Sequence, residues 1–252
     1  MARLGTMPRR SYDQYCSLAR ALDVLGERWT LLIVRELLAG PRRYSDLHAD
    51  LPGVSTDVLA ARLKELEADG LVARRRVSPR GAAHVYELTQ AGHEVLPVLA
   101  CLAAWGRSRL GPRRPTDALR SHWFALPLLE YLGALLRSRP AGGDAGRDAG
   151  PSASGAAGPS AGGDAATVEV RLDEGVFHLH PGGDRARTGY AEGPVERPDA
   201  VLSTDAGTVA DLLTGATSLP EARRQGRLEL RGRRDVVDAL LSASRAELPV
   251  PG

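Results

Sequence analysis

Hydrophobic residues recur at helical spacing along the N-terminal part of the chain. Those within residues 18–25 predict a first helix, which Gly26 ends. A second helix opens near Trp29, and its apolar residues at 31–38 cover almost the whole circumference. A helix with this pattern is packed on several sides, so we expect it at the centre of a small domain, with Gly40-Pro41 as its stop.

The longer of the two helices that follow has two distinct faces. A short helix from Arg42-Arg43 to residues 51–53 precedes it, and Ser55 provides its N-cap. Its apolar face consists of Leu59, Leu63 and Leu66, and its opposite face consists of Asp57, Ala61, Lys64 and Ala68, with Arg62 on the flank. Small outward residues let a helix backbone approach base edges, and Lys64 donates hydrogen bonds. A plain amphipathic surface helix has the same pattern, so this helix alone leaves its role open.

A basic hairpin follows this helix. Residues 71–76 and 84–88 are typical of two strands around a turn at 78–81, with Arg74 and Arg76 on one strand face and Arg75 on the other. Arg80 at the tip is placed to enter a minor groove or to contact phosphate. An arginine run alone is as often a solvated strand edge, but after a reading helix it favours nucleic acid. The charge agrees, because residues 1–115 hold 18 basic and 12 acidic side chains and the remainder 15 and 19.

An apolar helix completes the N-terminal half. Thr89 caps it, its apolar positions continue past Trp105 to Leu110, and Pro97 is expected to kink it. Together with the first helix it predicts a homodimer surface, because DNA-binding proteins with two-fold symmetry place their two reading helices on successive turns of the major groove. Packing against the C-terminal half is the alternative.

The C-terminal half combines a helical stretch, a low-complexity segment and an α/β region. Residues 122–126 and 128–132 are helix-like on either side of Pro127. Residues 140–166 are almost wholly Gly, Ala, Ser, Pro and Asp, a composition that predicts disorder. Beyond them the pattern predicts strands at 168–172, 176–179, 188–191, 200–203 and 227–232, and helices at 208–213, 220–225 and 235–241.

Five motifs stand in a fixed order along residues 12–110. They are Cys16-Ser17, Gly26-Glu27-Arg28-Trp29-Thr30-Leu31-Leu32-Ile33, Gly40-Pro41-Arg42-Arg43-Tyr44, the run from Ser55 through Leu59, Arg62-Leu63 and Leu66 to Asp69-Gly70-Leu71-Val72, and Tyr86-x-Leu88-Thr89-x-x-Gly92. In this order and spacing they resemble the HxlR family of bacterial transcriptional regulators. The resemblance implies a dimeric winged helix that binds a palindromic operator as a repressor or an activator.

Two positions depart from that family's pattern. Ser17 takes the place of the usual Pro, and Thr56-Asp57 stands where Pro and a basic residue are frequent. Asp57 repels phosphate, so it either accepts a hydrogen bond from a cytosine amino group or caps the helix. Some members of the family sense oxidants through the cysteine equivalent to Cys16, and a helix N-terminus favours a thiolate, so thiol sensing is an alternative function. Cys101 is not an obvious resolving partner.

Three motifs accompany the predicted elements of the C-terminal half: Pro198-Asp199-Ala200, Asp211-Leu212-Leu213-Thr214-Gly215, and the run from Gln225 to Gly232. Over residues 116–243 the chain is similar to a sterol carrier protein-like domain. The resemblance implies a curved sheet with helices over an apolar cavity that holds a hydrophobic small molecule. The candidate wall residues are Trp123, Leu126, Leu129, Phe177, Leu179 and Leu212, each of which a plain core also explains.

The predicted fold class is α+β, with an N-terminal winged helix-turn-helix domain at 1–115, mainly α with a β-wing, and a sterol carrier protein-like α/β domain at 116–252. The chain is predicted to be a homodimeric, sequence-specific transcriptional regulator that binds double-stranded DNA and responds to a hydrophobic effector. Repression is favoured over activation. A metabolite carrier or a protein-interaction module without DNA binding is the alternative. The residues expected to contact DNA are Arg42, Arg43, Ser55, Thr56, Asp57, Ala61, Arg62, Lys64, Arg74, Arg76, Arg80 and His84.

Other chemistry has little support in the chain. The sequence has no phosphate-binding glycine loop, no signature of a nucleophilic triad and no metal-binding helix motif, which argues against an enzyme and against a cofactor. His178 and His180 share a strand face with no third ligand at useful spacing, so we expect no metal and a solvated face. The lack of a long apolar run and of a signal-peptide core predicts a cytoplasmic protein without a membrane partner.

Overall fold

The computed structural model describes residues 11–77, 83–111, 113–137, 166–181 and 189–242. The chain divides into two compact units, Met1–Leu99 and Ala100–Gly252. The predicted turn at 78–81, the predicted strand start at Thr188 and nearly all of the low-complexity segment at 140–166 lie outside the described residues.

Four helices open the first unit: α1 (Ser17–Leu25), α2 (Thr30–Leu37), α3 (Tyr44–Asp50) and α4 (Thr56–Ala68). The predicted end of α1 at Gly26 is confirmed. The side chains of Ile33 and Val34 make α2 a buried helix, as predicted. Leu32 is nevertheless 40% exposed, so the prediction that α2 is apolar and packed almost all round was wrong on that side.

A three-stranded antiparallel sheet completes the framework of the first unit, with β1 (Arg42–Arg43), β2 (Val72–Arg76) and β3 (His84–Leu88) in the order β1-β3-β2. The predicted hairpin strands are confirmed. The prediction that Arg42 and Arg43 open a helix was wrong, because they pair with Tyr86 and Val85 of β3 and α3 starts only at Tyr44. This pairing supplies ladder hydrogen bonds from a distant segment, which a local pattern does not reveal.

The last predicted helix of the N-terminal half is two helices, α5 (Gln90–His93) and α6 (Leu96–Gly106). The Thr89 hydroxyl accepts a hydrogen bond from the Gly92 amide at 3.2 Å, which confirms the predicted cap. A Cβ atom at Gly92 would lie 2.2 Å from the carbonyl oxygen of Leu71. Only glycine therefore fits where α5 passes the residue that precedes β2. The break between α5 and α6 lies before Pro97. Pro97 stands in the first turn of α6, where the missing N–H costs no helical hydrogen bond. The predicted kink at Pro97 was therefore misplaced.

The second unit contains one long buried helix ahead of its sheet. A 3-10 turn at Ser121–Phe124 leads directly into α7 (Ala125–Arg137). The predicted interruption at Pro127 was wrong, because Pro127 stands in the first turn of α7, whose N–H groups have no helical acceptor. Leu128 and Leu132 of α7 are fully buried.

A five-stranded sheet forms the rest of this unit, with the order β6-β5-β4-β7-β8. Its elements are β4 (Val168–Leu172), β5 (Gly175–Leu179), β6 (Tyr190–Glu192), β7 (Ala200–Thr204), α8 (Ala206–Thr214), α9 (Leu219–Arg224), β8 (Leu228–Gly232) and α10 (Arg234–Ser242). Only β4 and β7 pair in parallel among the described strands. Each element predicted for this region is present with slightly shifted ends.

Strand register divides this sheet into an apolar face and a polar one. Phe177 lies opposite Val170 on the buried apolar face, whereas His178 lies opposite Glu169 on the other. The predicted solvated histidine face was wrong, because His178 and His180 are half-buried and their Nδ1 atoms lie 3.1 Å from the Gly193 carbonyl oxygen and the Thr167 hydroxyl. Burial, with some contribution from the nearby His178, lowers the pKa of His180.

The ends of α8 follow simple capping rules. The Asp205 carboxylate accepts hydrogen bonds from the amide of Thr208 at 2.9 Å and from its hydroxyl at 2.7 Å. Burial raises the pKa of Asp205, but these hydrogen bonds hold it below its ordinary value. Gly215 ends the helix in the left-handed region at φ 75°, a conformation that glycine adopts without a Cβ penalty.

Candidate nucleic-acid interface

Helix α4 is anchored on one side and open on the other. Leu59, Leu63 and Leu66 are buried, as the sequence predicts. The Ser55 hydroxyl accepts a hydrogen bond from the Val58 amide at 3.4 Å, which confirms the predicted N-cap. We call the exposed residues of the other side the outward face of α4: Thr56, Asp57, Ala61, Lys64 and Ala68.

A tyrosine ties the first turn of α4 to the preceding helix. The Tyr44 hydroxyl at the start of α3 donates a hydrogen bond to the carbonyl oxygen of Thr56 at 2.8 Å. Burial raises the pKa of Tyr44, and the nearby charges of Tyr86 and Asp57 raise it further, so the phenol stays protonated as a donor. The sequence placed Tyr44 in the motif at residues 40–44 but gave it no role at the interface. Tyr44 fixes the N-terminal end of α4, the part of a reading helix that meets base edges.

Arg62 is held by acidic neighbours. Its Nη1 atom lies 3.6 Å from Glu27 Oε2 in the segment between α1 and α2, and it also forms an ion pair with Glu65 on α4. Its guanidinium charge is therefore compensated within the protein. Of the two basic candidates for DNA contact on α4, Arg62 is paired, whereas Lys64 is exposed and takes part in no ion pair among the residues described.

The hairpin, or wing, has one strongly basic face. Arg74 lies opposite Tyr86 and Arg76 opposite His84, and Tyr86 also lies opposite Arg42 on β1. Directly opposed residues share a face, so these five residues form what we call the basic face of the wing. The predicted grouping of Arg74 with Arg76 is thereby confirmed, and Tyr86 is an addition that only the register reveals.

The other face of the wing has compensated charge. The Arg75 Nε atom donates to the two carboxylate oxygens of Glu87 at 3.0 and 3.2 Å. This hydrogen bonding, and the charge of Glu87, raise the pKa of Arg75. Arg74 and Arg76, by contrast, are exposed and form no ion pair within the described part of the chain. Arg43 lies on the Arg75 face, opposite Val85. Arg80 lies outside the described residues.

The remaining candidate residues lie elsewhere. Cys16 is exposed at the N-cap position of α1, and Cys101 is exposed on α6; both are free thiols. Of the six proposed ligand-binding residues, Phe177, Leu179 and Leu212 are fully buried and Leu126 nearly so. Trp123 and Leu129 are half-buried. No helix within the described residues has the length and apolar character needed to cross a bilayer.

An anchored helix with an exposed outward face, followed by a basic hairpin, defines the class of winged helix-turn-helix DNA-binding proteins. The chain belongs to the HxlR-like helix-turn-helix family, whose sequence model matches residues 24–114. It is a DNA-binding transcriptional regulator, and no enzyme family is indicated.

Over its N-terminal part the chain is similar to several regulators. The uncharacterized HTH-type transcriptional regulator YvaP of Bacillus subtilis (strain 168) is 40% identical over 94 residues, which are 37% of this chain and 86% of YvaP. The uncharacterized HTH-type transcriptional regulator Mb3122 of Mycobacterium bovis is 40% identical over 107 residues, 42% of this chain and 67% of that protein. The solved structure of the reduced transcriptional regulator YodB from B. subtilis is 31% identical, covers 40% of this chain and 100% of its own, and has a TM-score of 0.35.

Proposed function

We propose that the protein is a homodimeric repressor that reads a palindromic operator by placing α4 in the major groove and the wing against the adjacent backbone or minor groove. The observation that carries this proposal is the positive charge of Lys64, Arg74 and Arg76, which are exposed in one unit and form no ion pair with any residue that the structure describes. The full set of proposed DNA contacts is Arg42, Arg43, Ser55, Thr56, Asp57, Ala61, Arg62, Lys64, Arg74, Arg76, Arg80 and His84. Arg62 contacts DNA in this proposal only after exchanging its carboxylate partners.

Exposed apolar side chains on two helices support dimerisation. On α1, Leu18 is 66% exposed and Leu22 is also exposed. On α6, Val98, Leu102 and Trp105 are exposed and follow one helical stripe at intervals of four and three residues. Apolar stripes of this kind are stabilised by burial against a partner. We propose residues 1–115 as the DNA-binding and dimerisation domain and a second copy of the chain as the partner.

Binding of the purified 252-residue chain to genomic DNA fragments tests the proposed function. We expect enrichment of a palindromic sequence, and an affinity that falls steeply as salt rises from 50 to 200 mM, by a factor on the order of 10³ or more if about six phosphates are contacted. Fluorescence anisotropy with an enriched duplex and a scrambled one measures both the affinity and the specificity. Equal, salt-independent affinity for the two duplexes would contradict the proposal.

We propose the second domain, residues 116–252, as a sterol carrier protein-like module for a hydrophobic effector. The order of strands and helices after residue 166 and the buried apolar face around Phe177, Leu179 and Leu212 support it. An effector alters operator binding only if it binds one dimer geometry better than another. Titration of long-chain fatty acids and sterols against the protein–operator complex tests this step; ligands that bind without shifting operator affinity would contradict it.

Thiol sensing through Cys16 is the second candidate function. It rests on the exposed position of the free Cys16 thiol at the N-terminal end of α1, where reagents can reach it. Alkylation of the protein, with Cys101 replaced by Ser, should then change operator affinity. Unchanged affinity after complete modification of Cys16 would argue against this candidate.

A further inference from the structure

The outward face of α4 carries a carboxylate where a phosphate-binding protein would place a cation. Asp57 is exposed in the first turn of α4. Residues at the N-terminal end of a reading helix are those that meet base edges in helix-turn-helix complexes. A carboxylate near phosphates raises the free energy of the complex unless it gains a hydrogen-bond donor there.

In the described residues the backbone of α4 donates no hydrogen bond to the Asp57 carboxylate. The N-cap role belongs to Ser55, whose hydroxyl accepts the Val58 amide. Within the described residues Asp57 makes no hydrogen bond and no ion pair, although its charge acts on the nearby Tyr44. Ser55 therefore provides the hydrogen-bonded N-cap. The charge of Asp57 favours the positive end of the helix dipole, but no group in the described residues accepts or donates a hydrogen bond with its carboxylate, which stays open to a base contact.

We propose that Asp57 is a specificity-determining residue that accepts a hydrogen bond from the N4 amino group of a cytosine in each half of the operator. This inference rests on the proposed function, in which α4 lies in the major groove. The only hydrogen-bond donors on base edges in that groove are the amino groups of cytosine and adenine. Guanine and thymine present carbonyl acceptors, which repel a carboxylate.

Cytosine fits this carboxylate better than adenine does. Adenine presents its N7 acceptor next to its amino group, so a carboxylate that approaches the amino group also faces a lone pair. Cytosine presents its amino group without an adjacent acceptor. Asparagine, which both donates and accepts, matches the paired donor and acceptor of adenine instead.

The neighbours of Asp57 on the outward face allow such an approach. Ala61 lies one turn further along this face, and its small side chain leaves room for the base pairs. Lys64 lies about two turns, ~10 Å, from Asp57 along the helix, so the cation and the carboxylate contact different base pairs. Tyr44 holds the carbonyl of Thr56 at 2.8 Å and thereby limits movement of the turn that carries Asp57.

The test compares the duplexes that the unaltered chain and its variants enrich from a randomised DNA library. For the unaltered protein we expect one symmetry-related position with a preference for cytosine of roughly tenfold over the other bases. Asp57→Asn should shift the preference at that position toward adenine, and Asp57→Ala should abolish it. Glu67→Gln removes one acidic charge from the same helix, about 15 Å further along, and should leave every position unchanged.

The outcomes separate this inference from the proposed function. If the unaltered protein enriches no sequence, the proposed function fails. If it enriches an operator and both Asp57 variants enrich the same one, the proposed function stands and the cytosine contact is wrong. Thermal unfolding of each variant accompanies the selection. A uniform loss of preference at all positions in Asp57→Asn, with unchanged unfolding, would also overturn the inference, because it indicates positioning of the helix instead of contact with one base.

Discussion

Replacing Arg74 and Arg76 together with alanine is expected to weaken operator binding roughly 100-fold at moderate salt, since two charge-assisted hydrogen bonds to phosphate contribute about 3 kcal/mol in sum. Both guanidinium groups are exposed on the basic face of the wing and have no ion pair within the described residues. Their loss removes two phosphate contacts, so the slope of log affinity against log salt should fall in magnitude by about 2. Fluorescence anisotropy over a series of salt concentrations measures both quantities.

Arg75→Ala is the matched control for this pair. Arg75 stands between the two residues on the same strand, but it lies on the other face and hydrogen-bonds Glu87. Arg75→Ala removes the same type of side chain from the wing. Because this side chain lies off the basic face and is already paired with Glu87, we expect a change in affinity of less than about threefold. An effect of Arg75→Ala as large as that of the double variant would show that total charge, and not the basic face, governs binding.

Truncation of Leu63 to alanine is expected to lower the free energy of unfolding of the first unit by about 2–5 kcal/mol. Leu63 is 1% exposed beneath α4, and removal of its branched side chain loses buried apolar contacts and leaves a cavity. Equilibrium unfolding in urea, followed by circular dichroism, measures the difference. We also expect the DNA affinity of this variant to fall at temperatures where the first unit begins to unfold. The outward face of α4 is held in place only while the buried side of the helix stays packed.

Val58→Ala on the same helix is the control for this truncation. Val58 is 38% exposed, so we expect its replacement to change the free energy of unfolding by less than about 1 kcal/mol. Similar losses in the two variants would contradict the role of packing under α4, because alanine has the highest helix propensity and costs a helix no stability by itself.

Local sequence patterns predicted the elements of the interface well. The spacing of Leu59, Leu63 and Leu66 predicted which side of α4 is buried, and Ser55 predicted where the helix begins. Strand alternation predicted that Arg74 and Arg76 share a face. These features depend on residues close together in the chain, where periodicity and capping chemistry act directly.

Features that depend on distant partners were beyond such patterns. The strand pairing of Arg42 and Arg43 with β3 and the ion pair between Arg62 and Glu27 join segments that are far apart in sequence. Pro127 was misjudged for a local reason, because a proline is tolerated in the first turn of a helix and the start of α7 was placed too early. The hydrogen bond from Tyr44 to the Thr56 carbonyl likewise joins two helices whose relative position no local pattern gives.

Lys64 is the only lysine of the chain, and its ammonium group is exposed on the outward face of α4. Reagents that acylate side-chain amines therefore have a single target, and that target lies on the proposed reading surface. Acetylation there removes one positive charge without altering any arginine. A fluorophore coupled to the same side-chain amine would report the local environment of α4, and no second side chain would carry it.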